Sequence, residues 1–133
     1  MHILILADAV DNQNAGIHMY TKKLIQNLIR LDKSNTYTFI HSKKNGFFEG
    51  TNHYIVPRGK YPGGESVRRL IKIPHLIRRL KPDMVMEPCH IGPFLIPKNI
   101  KRILTVHDLT SILFPQFHTT RNKLIHKLLL KRS

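Results

Sequence analysis

Residues 3–7, Ile-Leu-Ile-Leu-Ala, form an unbroken apolar run that ends at Asp8. A strand with one wet face alternates apolar and polar residues. A run without alternation is the pattern of a strand buried on both faces of a parallel sheet. The run is too short for a membrane span, which needs roughly 18 apolar residues. It is also too short for the apolar region of a signal peptide. Residues 8–15 then supply loop chemistry, with Asp8, Asp11, Asn12, Gln13 and Asn14. After Gly16, Ile17, Tyr20, Leu24, Ile25, Leu28 and Leu31 fall at helical spacing, with Lys22, Lys23, Gln26, Asn27 and Arg30 between them. This predicts a helix over 16–31, capped from the Asn14 side. Strand, polar loop and helix together open an α/β unit.

The rest of the chain continues the theme. Residues 37–41 and 53–56 read as short strands, bounded by Ser34-Asn35, Asn45-Gly46 and Pro57. Residues 57–64 hold two prolines and three glycines and read as a loop. A second helical pattern begins at Glu65, with Val67, Leu70, Ile71, Leu76, Ile77 and Leu80 as its apolar positions. Pro74 either breaks or kinks this helix or starts a new one in its first turn. Residues 84–87 read as a buried strand, followed by a loop with Pro88, Pro93 and Pro97. Residues 102–106 read as a central strand that runs into His107-Asp108. A last helix is expected over 121–132, capped by Thr119 or Thr120, with Leu124, Ile125, Leu128 and Leu129 facing inward. The order β-α-β-β-α-β-β-α predicts an α/β, Rossmann-like fold: a mainly parallel sheet with helices on both faces. Ligands of such sheets sit at the carboxyl ends of the strands. In this chain those ends are residues 8–16, 87–92 and 107–109.

A length of 133 residues and a hydrophobic fraction of 41% give one domain with a real core, not a disordered basic tail. Cys89 is the only cysteine, so neither an intramolecular disulfide nor a Cys-rich zinc site can form. That fits a reducing, cytoplasmic compartment. The nine histidines include no H-x-x-x-H pair on a helix and no H-E-x-x-H, so they read as scattered surface residues and no metal is expected.

Three segments carry a family likeness. The first is Gly16-Ile17-His18-Met19-Tyr20-Thr21-Lys22-Lys23-Leu24. The second runs Ile73-Pro74-His75-Leu76-Ile77-Arg78-Arg79-Leu80-Lys81-Pro82-Asp83-Met84-Val85. The third is Leu104-Thr105-Val106-His107-Asp108-Leu109, with Phe114-Pro115 after it. In this order, over most of the chain, they resemble the N-terminal domain of glycosyltransferase family 4 enzymes, which have the two-domain GT-B fold. Asn14-Ala15-Gly16 departs from the consecutive glycines of many relatives. The resemblance implies an enzyme, to which the cysteine count and the basic charge add a cytoplasmic setting, peripheral on the inner face of the membrane. Such an enzyme moves a sugar, with retention, from a nucleotide-sugar substrate to a glycan or lipid-linked acceptor, without a further cofactor. It also implies that residues 1–133 are an incomplete acceptor-side domain. Their natural partner would be a C-terminal domain that binds the donor and carries the family's paired glutamates. The chain alone is then expected to be inactive.

Each candidate site residue has a functional and a plain reading. Ala15 and Gly16 open the first helix, where a diphosphate can approach backbone N–H groups, or where glycine simply permits a tight turn. No G-x-G-x-x-G is present, which disfavours a dehydrogenase-type dinucleotide site. By resemblance His107 lies in the interdomain cleft against the donor sugar, with Asp108 supporting it. An imidazole can bond a sugar hydroxyl and a carboxylate can fix its tautomer. Asp108 could instead cap the turn at 109–113. Glu87 and His90 follow another strand end and are expected to face the acceptor. Cys89 between them has no base to activate it and reads as half-buried. Asp8 and Asp11 can orient an acceptor hydroxyl, although solvation in a loop is the commoner role.

The net charge of +14, from 22 Lys and Arg against 8 Asp and Glu, calls for a polyanionic neighbour. Eight of those cations lie between Arg58 and Lys81, against Glu65 alone. Arg68, Arg69, Lys72, Arg78 and Arg79 are the expected surface for an anionic membrane, to which Arg121, Lys123, Lys127, Lys131 and Arg132 add a second basic helix. Each cation near such a surface contributes about 1 kcal/mol. A solvated basic face is the plain alternative. Nucleic acid is disfavoured because no nucleic-acid motif is present.

Overall fold

The structure is a computed structural model that describes residues 1–12, 15–89, 95–109, 113, 114 and 116. Five strands form one parallel sheet: β1 (His2–Leu6), β2 (Thr36–His41), β3 (His53–Ile55), β4 (Met84–Glu87) and β5 (Lys101–Leu104). Their order is β3-β2-β1-β4-β5, so β1 is central. Its register with β2 pairs Ile5 with Phe39, and its register with β4 pairs Ile5 with Met86. Ile3, Leu4 and Ile5 are all buried, as an apolar run without alternation requires.

Helices cover both faces. The short α1 (Asp8–Asn12) leads into α2 (Ala15–Leu31). On that face Val10 and Ile25 pack with Ile3, Ile5, Phe39 and Phe48. The opposite face is covered by one helical stretch made of α3 (Gly64–Val67), a π-helical segment (Arg68–Lys72) and α4 (Ile73–Leu80). There Ile73 and Ile77 pack with Leu4, Ile40, Val85 and Ile100.

Three expectations change. Residues 8–12 are helical, not loop: Val10 is buried and Asp11 is consumed by tertiary hydrogen bonds, which outweigh the turn preference of Asp and Asn. The second helix does not bury Val67, Leu70 and Ile71, and Ile71 is 62% exposed. Its buried seam is instead Arg68, Ile73 and Ile77, spaced five and then four. The wider π segment rotates the register by about one residue, which turns Arg68 inward. Pro74 lies in the first turn of α4, where its missing N–H costs no bond. The strand before His107 is β5, at the edge of the described sheet rather than its centre. The expected helix over 121–132 lies outside the described residues.

The loop 57–64 folds back on itself. A Cβ at Gly59 would come within 2.5 Å of the Gly64 Cα, and one at Gly64 within 2.6 Å of the Gly59 Cα. Only two glycines permit that backbone approach. Lys81 ends α4 in the left-handed conformation at φ 46°.

Candidate functional site

In the order β3-β2-β1-β4-β5 the chain leaves β1 in one direction and then returns to add β4 and β5 on the other side. Adjacent loops therefore part at the carboxyl ends of β1 and β4, where sheets of this class bind ligands. A cavity of about 120 Å³ lies there, lined among others by Asp8, Ile17, His18, Arg58, Arg69 and Cys89. The sequence reading placed Asp8 at this edge. The roles of His18, Arg58 and Arg69 in the wall could not be read from spacing, because they come from different elements.

The cavity is bordered by a charge cluster. Arg68 donates from Nη1 and Nη2 to the two Asp8 carboxylate oxygens, each at 2.7 Å, and from Nε to the Val56 carbonyl at 2.6 Å. The guanidinium is 1% exposed. Glu65 takes Arg69 Nε at 2.5 Å and Arg68 Nη1 at 3.4 Å, and lies 3.9 Å from Arg58 Nε. Arg58, Arg68 and Arg69 thus gather around Asp8 and Glu65 beside the cavity, with Arg58 and Glu65 open to solvent.

Arg68 is therefore not part of a basic surface: it is an interior strut. Arg69 is half-buried and engaged with Glu65. Of the expected membrane-facing set, Lys72, Arg78 and Arg79 are exposed.

Asp11 does not face a ligand either. Its carboxylate is wholly buried and accepts from the Ser42 backbone N–H at 2.6 Å, Ser42 Oγ at 2.9 Å, Lys43 N–H at 3.0 Å and Asn45 Nδ2 at 2.5 Å. It ties α1 to the end of β2. Glu87, expected to face an acceptor, is 1% exposed and bonded to Arg102 Nε at 2.5 Å. Burial pushes its carboxyl above the usual carboxylate range, against the opposing pull of Arg102 and Arg69. His90 lies outside the described residues.

His107 is exposed at the same carboxyl edge. Its Nε2 donates to the Pro88 carbonyl at 2.5 Å, and its ring meets Tyr20 edge-on at 4.9 Å between centroids. A carbonyl can only accept, so the neutral ring carries its proton on Nε2 and offers Nδ1 as an acceptor. The Pro88 carbonyl performs the tautomer-fixing task expected of Asp108. α2 presents Ile17 and His18 to the cavity and Tyr20 to His107, which itself does not line the cavity. Asp108 is exposed.

Gly16 is exposed, and a Cβ there would meet nothing within 4 Å. Packing among the described residues does not demand a glycine at this position. Ala15 is the first residue of α2. Among the described residues no group of three His, Cys, Asp or Glu could hold a metal ion, and no helix is long and apolar enough to cross a membrane.

Comparisons with family models, with curated proteins and with solved structures return no match for this chain.

Proposed function

We propose that this chain is the acceptor-side, Rossmann-like part of a retaining glycosyltransferase that uses a nucleotide-sugar donor. The observation that carries the reading is the grouping at one sheet edge: a small cavity with Asp8, Arg58 and Arg69 in its wall, and at the same edge His107 with Nδ1 presented as an acceptor. The cavity suits an acceptor bearing hydroxyl and anionic groups. Nδ1 can accept a hydrogen bond from a sugar hydroxyl while the Pro88 carbonyl holds the ring in place. The leaving diphosphate needs further cationic or dipolar groups, which the proposed donor-binding domain would contribute.

The test begins with the coding sequence downstream of Ser133 and continues with the joined protein. We expect a second α/β unit and acceptor-dependent release of nucleoside diphosphate by the joined protein. His107→Ala should lower that rate by about 10²-fold or more. Residues 1–133 alone should transfer no sugar. Transfer by residues 1–133 alone, an unaffected His107→Ala enzyme, or no α/β unit in any downstream frame would overturn the proposal.

A second reading, attachment to an anionic bilayer, is favoured by one observation. Val67, Leu70 and Ile71 form an exposed apolar row beside Lys72. Flotation with liposomes that contain anionic lipid, lost on Ile71→Ser, would support it; flotation independent of lipid charge would remove it.

A further inference from the structure

We propose that the groove across the amino ends of β1, β2 and β3 is a binding site for a neutral carbohydrate. It lies at the end of the sheet opposite the cavity at the carboxyl edge. The groove has a volume of about 590 Å³, and its walls include His2, Thr36, Thr38, Asn52 and Tyr54. Small-molecule sites usually span about 300–1,000 Å³. In the parallel register His2 pairs with Thr36, Leu4 with Thr38, and Ile40 with Tyr54. Side chains alternate along a strand, so His2, Thr36, Thr38 and Tyr54 share the face that buries Leu4 and Ile40. Ile73 and Ile77 of α4 pack on Leu4 and Ile40, whereas Thr36 and Tyr54 stay exposed. The helical cover of this face thus stops short of the amino ends.

The chemistry of the walls selects the ligand. The chain carries 22 Lys and Arg, yet among the described residues no Lys, Arg, Asp or Glu lines this groove. Its polar groups are hydroxyl, amide, imidazole and phenol, which supply donors and acceptors side by side, as the hydroxyls of a sugar do. Thr38 is 5% exposed, and its Oγ1 lies 2.9 Å from His2 Nε2. That contact orients the imidazole and leaves its Nδ1 uncommitted among the described residues. Thr36, Asn52 and Tyr54 make no side-chain hydrogen bond among the described residues, so each can exchange water for a ligand group. The Tyr54 ring, 42% exposed, adds a flat apolar face for the C–H side of a pyranose. An apolar ligand would leave these polar groups unmatched, and an ionic one would lose hydration without meeting a countercharge. A sugar avoids both costs. This inference is independent of the sugar-transfer reading, which concerns the other end of the sheet.

The test titrates the whole ¹⁵N-labelled chain with maltotriose, cellotriose and chitotriose, and with trialanine as a peptide control, while backbone ¹H–¹⁵N shifts are followed. We expect saturable shifts with at least one trisaccharide, centred on residues 2, 36–38 and 52–54. The affinity should hold when ionic strength rises from about 0.05 to about 0.5 M, which screens attraction between charges. Asn52→Ala combined with Tyr54→Ala, both exposed positions, should weaken binding by about tenfold or more. Should that pair fail to fold, Thr36→Val decides: it removes one exposed hydroxyl at nearly constant volume and should weaken binding by about threefold or more. No saturable shift with any trisaccharide would overturn the proposal, as would binding equal in wild type and the deciding variant. So would affinity lost on adding salt, trialanine bound as tightly as the sugars, or shifts centred on His107 at the carboxyl edge.

Discussion

Arg68 grips Asp8 across sixty residues of sequence, with both terminal guanidinium nitrogens 2.7 Å from the two carboxylate oxygens. The pair joins α1, just past the central strand, to the π-helical segment on the other side of the carboxyl edge. Its third anchor is the Val56 carbonyl, so the loop after β3 is held as well. Removing one member strands the other. For a buried pair that costs about 3–5 kcal/mol, far more than the pair's net contribution against a well-packed apolar replacement. Asp8→Ala and Arg68→Met should each lower unfolding stability by roughly 3 kcal/mol in urea titrations. The double variant should lose less than the sum. Additive losses would show that the two side chains act separately.

Tyr37 and Asp32 give a pH signature at the turn before β2. Tyr37 donates to Asp32 Oδ2 at 2.6 Å. Burial, with the Asp32 carboxylate adding to it, pushes the phenol up to about 12 from its ordinary 10.0. Above pH 10 the unfolded chain loses this proton while the folded one keeps it, so stability falls as pH rises between about 10 and about 12. Ultraviolet titration should show one of the four tyrosines ionising late, near pH 12. Tyr37→Phe should remove that late step and flatten the alkaline loss of stability. A titration unchanged by Tyr37→Phe would count against the contact.

The same Asp32 accepts from Ser34 N–H, Ser34 Oγ and Asn35 Nδ2, bonds that with Tyr37 hold its carboxyl far below the usual range. These bonds are lost only on strong acidification, below the ordinary 3.8.

Gly59 and Gly64 approach each other closer than any Cβ allows. Gly59→Ala or Gly64→Ala must push the backbones apart, at a cost of about 1–3 kcal/mol. Gly16→Ala, with open space around the added carbon, should fold as wild type does. Thermal unfolding of the three variants checks both statements. Equal midpoints for Gly59→Ala and Gly16→Ala would contradict the close approach.

The tautomer of His107 can be read directly. With Nε2 donating to the Pro88 carbonyl, long-range ¹H–¹⁵N spectra of the neutral ring should show a protonated Nε2 and an unprotonated Nδ1. Tyr20→Leu removes the edge-on ring and should broaden these signals. The opposite tautomer would leave Nδ1 unable to accept a bond from a sugar hydroxyl.

The three segments read one at a time lie on α2, on α4 with β4, and on β5 with the turn after it. Gly16 and Tyr20 fall on the expected helix, and His107 follows the expected strand. The pairing of Tyr20 with His107 was not legible, because 87 residues of chain separate them and only the parallel register brings them together. Glu87 was visible as a strand end, but not as a buried partner of Arg102, since alternation along a four-residue strand does not say which neighbour its side chain meets.

Local order in this protein was determined by the sequence itself. The apolar run at 3–7 dictates a doubly buried strand, and the helical spacing after Gly16 dictates α2, because each pattern can hide its apolar atoms in only one way. The fate of the charges was decided only in the tertiary structure. Arg68 reads as one cation among eight on a basic face, yet the π segment turns it into the interior, where Asp8 and Glu65 compensate it. Asp8 and Asp11 read as loop residues, yet both end as acceptors for donors thirty or more positions away. A charge can be buried only where partners from distant segments converge, and such convergence is a property of the fold rather than of any stretch of chain.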